Sequence, residues 1–257
     1  MMIPKKPVLF LFSLLVIQSC VELSAQTKRP HNLIHFDHKP YNFGFTLGIN
    51  QMLFSIEHMP LYTHTIYTPE QTPDIPADWA RLNTVESNPN WGFTIGIVSN
   101  LRLANYFDLR FIPSLSFGER NLEYLIEREF QGVVENIIVR KPIQSTFVDF
   151  PLLVKYKSKR LNNIRSYLIA GPKYSIDLIS DARRSEKTDG TVIKLFRNDI
   201  YFDLGVGFDF YNEYFKFGTE IRMSYGLRNL LKKENIIYTE GIDQLRSKIF
   251  TLAFTFE

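Results

Sequence analysis

Gly44-Phe45-Thr46-Leu47-Gly48-Ile49 returns as Gly92-Phe93-Thr94-Ile95-Gly96-Ile97, each copy preceded by an aromatic residue, Phe43 or Trp91. Large apolar side chains take every second position (Phe43, Phe45, Leu47, Ile49; Trp91, Phe93, Ile95, Ile97), with Gly or Thr between them. A period of two gathers each set on one face of a strand. In a water-soluble sheet the face opposite the apolar one carries charge or long polar groups, whereas here it is nearly without bulk. An apolar exterior around a tight interior is the pattern of a membrane barrel.

Working outward, the same dyad marks six further segments. Phe107, Leu109 and Phe111 alternate with Asp108 and Arg110, and Val148, Phe150, Leu152, Val154 and Tyr156 with Asp149, Pro151, Leu153 and Lys155. Leu168 to Leu178 sets its even positions against Gly171, Lys173, Ser175 and Asp177. Ile200, Phe202, Leu204, Val206, Phe208 and Phe210 oppose Asp203, Gly205, Gly207 and Asp209. Phe215 to Tyr225 opposes Lys216, Glu220 and Arg222, and Phe250 to Phe256 closes the series. The links between segments alternate in length. Short ones fall near Asn100 to Tyr106, Ser158 to Ile164 and Tyr211 to Tyr214; long ones span His58 to Asn90, Gly118 to Ile143, Asp181 to Asn198 and Asn229 to Ser247. The expectation is an all-β fold, an eight-stranded antiparallel transmembrane outer-membrane β-barrel with short periplasmic turns, long external loops and periplasmic termini. A soluble lipocalin-like barrel has no reason to keep its long loops at one end and would turn its charges outward. Strand one changes phase after Asn50, where Met52, Phe54 and Ile56 continue on the other parity, so a bulge is expected there. Pro151 and Pro172 each remove a ladder donor, so a bulge or bend is expected at both.

The N-terminus sets the compartment. Lys5 and Lys6 precede an apolar run from Val8 to Ile17, and Leu23-Ser24-Ala25 offers a cleavage site. That run is too short to span a bilayer as a helix, so 1–25 reads as a signal peptide, 26–42 as a periplasmic N-terminal segment and 43–257 as the barrel. Cys20 is the lone cysteine; Ile17-Gln18-Ser19-Cys20 loosely resembles a lipoprotein box, with Gln18 a poor fit, so Cys20 is either lipidated or removed. Neither a disulfide framework nor a thiolate metal site is then available to the barrel. A formal net charge of +3, without a long Lys/Arg block, argues against a nucleic-acid partner. The 22 Phe and 13 Tyr, concentrated in the alternating segments, suit girdles facing outer-membrane lipid.

Most charge within the barrel falls on the inward parity: Asp149, Lys155, Lys173, Asp177, Asp203, Asp209, Lys216, Glu220 and Arg222. Eight strands leave a lumen just wide enough to be filled by side chains, where charges must pair. A solid polar plug is the expectation, and a narrow conductance or proton path is the alternative. The carboxylate pairs face the lumen, out of reach of a polymer substrate, and read as structural ion pairs rather than as a glycosidase. His31, His35 and His38 lack nearby cysteine and regular metal-ligand spacing, so no metal and no cofactor is expected. His58 and His64 stand at the outer end of strand one, where a rim-site lipid A enzyme would place them, yet no Gly-x-Ser-x-Gly elbow accompanies them. Asp189-Gly190 reads as the turn of an external loop. Pro60, Pro69, Pro73, Pro76 and Pro89 make the first external loop an expected extended, exposed segment, with or without a partner.

Asn32-Leu33-Ile34-His35-Phe36-Asp37-His38-Lys39-Pro40, running directly into Tyr41-Asn42-Phe43-Gly44-Phe45-Thr46-Leu47-Gly48, resembles the start of mature members of the PorT/SprT family of the type IX secretion machinery. Phe147-Val148-Asp149-Phe150-Pro151-Leu152-Leu153-Val154-Lys155-Tyr156 and Tyr167-Leu168-Ile169-Ala170-Gly171-Pro172 look like recurring middle strands of the wider outer-membrane β-barrel family, and Tyr225-Gly226-Leu227-Arg228-Asn229 like its penultimate strand end. The ending Phe256-Glu257 departs from the usual terminal Phe. The resemblance implies a non-enzymatic component for export of cargo proteins, and of surface adhesins in gliding species, acting as an accessory or assembly factor because eight strands cannot pass a folded protein. It implies other type IX secretion components as partners and no small-molecule substrate. His35, Phe36, Asp37, His38, Lys39, Pro40 and Tyr41 are the expected partner-docking residues. A surface barrel for adhesion or host interaction is the alternative of another class.

Overall fold

The computed structural model describes residues 31–179 and 193–257, so residues 1–25, expected to be a signal peptide, Cys20 and Asp189-Gly190 lie outside the described residues. Ten strands follow in order: β1 Tyr41–His58, β2 Ile66–Tyr67, β3 Trp79–Arg102, β4 Phe107–Phe111, β5 Ser114–Phe130, β6 Val133–Lys157, β7 Ile164–Asp177, β8 Asn198–Tyr211, β9 Lys216–Gly226 and β10 Ile242–Phe256. β1 pairs with β3 on one side and β10 on the other, and every ladder is antiparallel, so the sheet closes on itself. β4 and β5 follow one line: Phe111 lies opposite Ser99 and Leu152, and Ser114 opposite Gly96 and Asp149, in unchanged register. The break between them falls at Ile112-Pro113, where proline has no N–H to give. Counted as one, they leave eight positions around the barrel, with β2 a short addition beside β3.

Around the quoted repeat, side chains divide as the dyad requires. Phe43, Trp91 and Ile97 are 67%, 69% and 63% exposed on the outer wall, whereas Thr46 and Thr94 are buried. The small residues also let large neighbours into the lumen. Gly207 lies beneath the Tyr167 ring, where an added Cβ would overlap it. Links 103–106, 158–163 and 212–215 join strands at the end where β1 begins and β10 finishes.

At the other end the strands run on past the lipid band. The stretch Gly118 to Ile143, expected as a long loop, is a hairpin paired from Ser114↔Asp149 to Phe130↔Val133 without a register shift. Its two turn residues, Gln131 and Gly132, both have positive φ, the conformation that matches a two-residue hairpin to strand twist. In this extension the faces exchange character. Leu82, Val85, Leu122, Tyr124 and Ile126 are buried inside, and Arg81, Glu123 and Glu127 stand on the outer side. With Phe54, Ile143, Leu195, Leu231 and Leu245 they form the largest apolar cluster among the described residues. Outside the bilayer water replaces lipid around the wall, so apolar area gains only by facing inward.

Three expectations are corrected, the first of them by that exchange. No bulge follows Asn50: β1 and β10 stay in register from Phe45↔Phe256 to Glu57↔Gln244, and Met52 and Phe54 point inward because the lumen itself turns apolar there. Neither Pro151 nor Pro172 shifts a ladder. β6 and β7 pair at Pro151↔Lys173 and resume in register at Val154↔Ala170, and β7 and β8 pair through Pro172↔Phe202. One absent donor removes one bond without displacing its neighbours, and the Pro151 carbonyl still accepts from Ile112 at 3.4 Å. The proline-rich loop is not extended. It forms short 3-10 turns at Tyr62–His64 and Pro69–Gln71, the second closed by a Thr68/Gln71 capping box, and buries Tyr67, Ile75 and Ala77. Pro89 belongs to β3, next to a register shift before Phe93.

Candidate functional site: the lumen and its periplasmic mouth

The mouth at the short-turn end, periplasmic in an outer-membrane barrel, is closed by the N-terminal segment. A 3-10 turn at Phe36–His38 turns the chain under the barrel before β1 begins. Arg165 holds Asp37 through two hydrogen bonds, 2.9 and 3.0 Å, and the Tyr211 hydroxyl donates to the same carboxylate at 2.8 Å. Such a forked charge-assisted contact fixes direction as well as distance. Arg160 binds the Asn32 carbonyl and approaches Asp37 at 3.7 Å, and Asn32 donates to the Tyr211 carbonyl at 3.1 Å. Phe36 turns up into the mouth, its ring 4.7 Å from Lys216 Nζ. The seven residues expected to dock a partner therefore divide. Phe36 and Asp37 engage the barrel, His35, His38, Lys39 and Pro40 are exposed, and Tyr41 opens β1 on the outward face it shares with Phe43.

Above the floor, all nine inward residues read from the dyad are buried. Lys155 donates to both oxygens of Asp209 at 2.7 and 3.0 Å. Lys216 pairs with Glu257 at 2.6 Å, and Glu220 accepts from Arg110 and from the Tyr167 hydroxyl, both at 3.1 Å. Lys173 donates to Ser224 at 2.9 Å and lies 3.9 Å from Asp203, while Arg222 stands 3.8 Å from both Asp203 and Glu220. Asp149 accepts from Ser116 at 2.6 Å and from Ser175, and Asp177 approaches Arg120 at 3.8 Å. The nine thus do not satisfy one another alone. Arg110, fully buried, joins Glu220 to Glu257; Lys157 pairs with Asp108 at 2.6 Å; Arg120 donates to Ser145 and Ser247.

These partners were open to the same inward parity, since Asp108 and Arg110 alternate with outward Phe107, Leu109 and Phe111, and Glu257 stands one step past outward Phe256. Arg120 was hidden by reading Gly118 as the start of a loop. It marks the roof of the polar zone, its guanidinium 4.3 Å from the Phe54 ring centre and 5.1 Å from that of Phe147, where charge gives way to the apolar cluster. Stacked in this way, the lumen is a column of side chains, with an aromatic-and-carboxylate floor, an ion-paired middle and an apolar roof.

At the outer rim His58 stacks on Tyr62 with ring centres 4.9 Å apart, and His64 Nδ1 lies 3.2 Å from the Thr63 hydroxyl. Among the described residues no three His, Cys, Asp or Glu side chains come together as a metal would require.

A family model described as the outer membrane protein beta-barrel domain matches residues 24–232. No curated protein matches the chain. Among solved structures, OprG from Pseudomonas aeruginosa is similar at 12% identity and a TM-score of 0.39, covering 83% of this chain and 93% of its own. Neisserial surface protein A is similar at 10% identity and 0.38, covering 84% and 98%. The N-terminal barrel of Pseudomonas aeruginosa OprF is similar at 12% identity and 0.30, covering 82% and 96%.

Proposed function

The chain belongs to the outer membrane protein beta-barrel domain family and resides in the outer membrane, and from that premise we propose that it serves type IX protein secretion, in the manner of the PorT/SprT family. Its role is that of a non-enzymatic accessory or assembly component of the translocon, and its partners are other secretion components in the outer membrane or periplasm. The observation that carries the reading is the form taken by the stretch that resembles that family. Asn32 to Pro40 is held to the mouth through Phe36 and Asp37 and leaves Ile34, His35, His38 and Lys39 exposed, next to Tyr41 at the start of the outer wall. A surface ordered before its partner arrives loses less entropy on binding than a free tail would. The side-chain-filled lumen leaves the passage of cargo to another protein.

Replacing His35, His38, Lys39 and Tyr41 together by alanine spares the Asp37 clamp and tests the reading. The expected result is a barrel with unchanged heat-modifiable migration and a loss of extracellular cargo; full secretion by this variant overturns the proposal. One observation favours adhesion as a second reading: the β5–β6 hairpin rises beyond the lipid band and bares Phe130, Val133, Val134 and Ile138 at and near its tip. A knockout that secretes normally but no longer attaches to surfaces would select that reading.

A further inference from the structure

On the external lobe, between the first and last loops, lies a cavity of about 550 Å³ that neither secretion nor the lumen uses. Its apolar wall is Met59, Tyr62 and Tyr67, and its polar wall is Lys233, Glu234 and Glu240. The walls are fixed. Gln71 donates to Asn235 at 2.8 Å across the two loops, Met59 N donates to the Gly241 carbonyl at 3.1 Å, and Tyr62 anchors to the Asn83 carbonyl at 3.2 Å. Gly241 leaves room for Leu82, whose methyl an added Cβ would strike.

The charges are not balanced. Lys233 is held by Asp243 at 3.1 Å and Glu234 by Lys194 at 2.6 Å, whereas Glu240 has no ion pair or side-chain hydrogen bond among the described residues. Its carboxylate is close enough to Tyr67 to add to the burial that pushes that phenol up to about 12. A half-buried carboxylate beside the half-buried Tyr62 ring and the exposed Met59 thioether offers a cation both an opposite charge and a polarisable wall, with buried Tyr67 as the floor behind them. An anion would meet Glu240 unscreened, and a neutral apolar group would leave it desolvated.

We propose that this cavity is a surface site for the lysine or arginine side chain of a partner protein, with Glu240 as its counter-ion and Tyr62 and Met59 as its walls. Mixed charges on the rim leave the long aliphatic stem of such a side chain to lie along Met59.

The test is calorimetric titration of the full mature chain in detergent with N-acetyl-lysine methylamide, N-acetyl-arginine methylamide, the uncharged norleucine analogue and free lysine. Saturable binding of the blocked lysine or arginine is expected, with the norleucine analogue and the Glu240→Gln variant each weaker by about tenfold or more. Glu240 carries no structural contact to lose, and unchanged heat-modifiable migration confirms the variant is folded. Equal binding by Glu240→Gln, equal binding of norleucine, binding of free lysine alone, or no saturable binding of either blocked cation overturns the proposal.

Discussion

Arg110 is the residue on which the middle of the lumen turns, because it neutralises Glu220 and Glu257 at once while fully buried. Its replacement by methionine keeps the volume but takes one partner from each of two buried carboxylates, leaving Glu257 to Lys216 and Glu220 to Tyr167, so unfolding in urea should show a loss of about 3 kcal/mol, partly recovered in Arg110→Met/Glu257→Gln. Gly207 makes a steric counterpart. A Gly207→Ala chain must move Tyr167 off its Glu220 bond, and the expected cost is about 1–3 kcal/mol, smaller in a Tyr167→Phe background because that bond is then already gone. Inward residues of this kind were legible one by one from parity. Which cation meets which carboxylate was not, since partners such as Arg110 and Glu257 are far apart in the chain and come together only by closure.

Elements show the same division between a local rule and a global setting. Each strand's dyad is local, and in β1 it continues unbroken as far as Glu57; what changes along it is the medium outside, from lipid to water. Hence Met52 and Phe54 resembled a phase error while the backbone kept its register. The hairpin of β5 and β6 was likewise hidden, because its extension carries the soluble pattern, apolar inside, in a chain whose membrane portion carries the reverse. Leu122→Ala should therefore loosen the external lobe by about 2–5 kcal/mol, seen as protease cleavage within 118–143, while heat-modifiable migration of the barrel persists. Alkali probes the same lobe. Burial and Glu240 push Tyr67 up to about 12, and burial also raises Tyr124 and Tyr238. The unfolded chain loses these phenolic protons above about pH 10 while the folded lobe keeps them, so its stability, intact below pH 10, falls as pH rises toward 12. Protease susceptibility should climb over that window, and less steeply in Tyr67→Phe.

At the scale of the whole molecule, the stacked floor, ion-paired middle and apolar roof predict that planar-bilayer recordings of the purified protein show no steady ohmic channel; a stable conductance would mean that the column parts. Asp37→Asn, which weakens the clamp on the mouth, should make 31–40 accessible to protease without unfolding the barrel. By itself the sequence determined the barrel, its eight positions and its lipid-facing side, because a strand reports its two environments in the alternation of its own residues. Only the tertiary structure decided where the lipid-facing pattern stops, how the inward charges pair, that Asn32 to Pro40 closes the mouth, and that two distant loops enclose a tyrosine-lined cavity. Those features depend on what lies opposite across the lumen or beyond the membrane, and the order of residues along one strand carries no record of either.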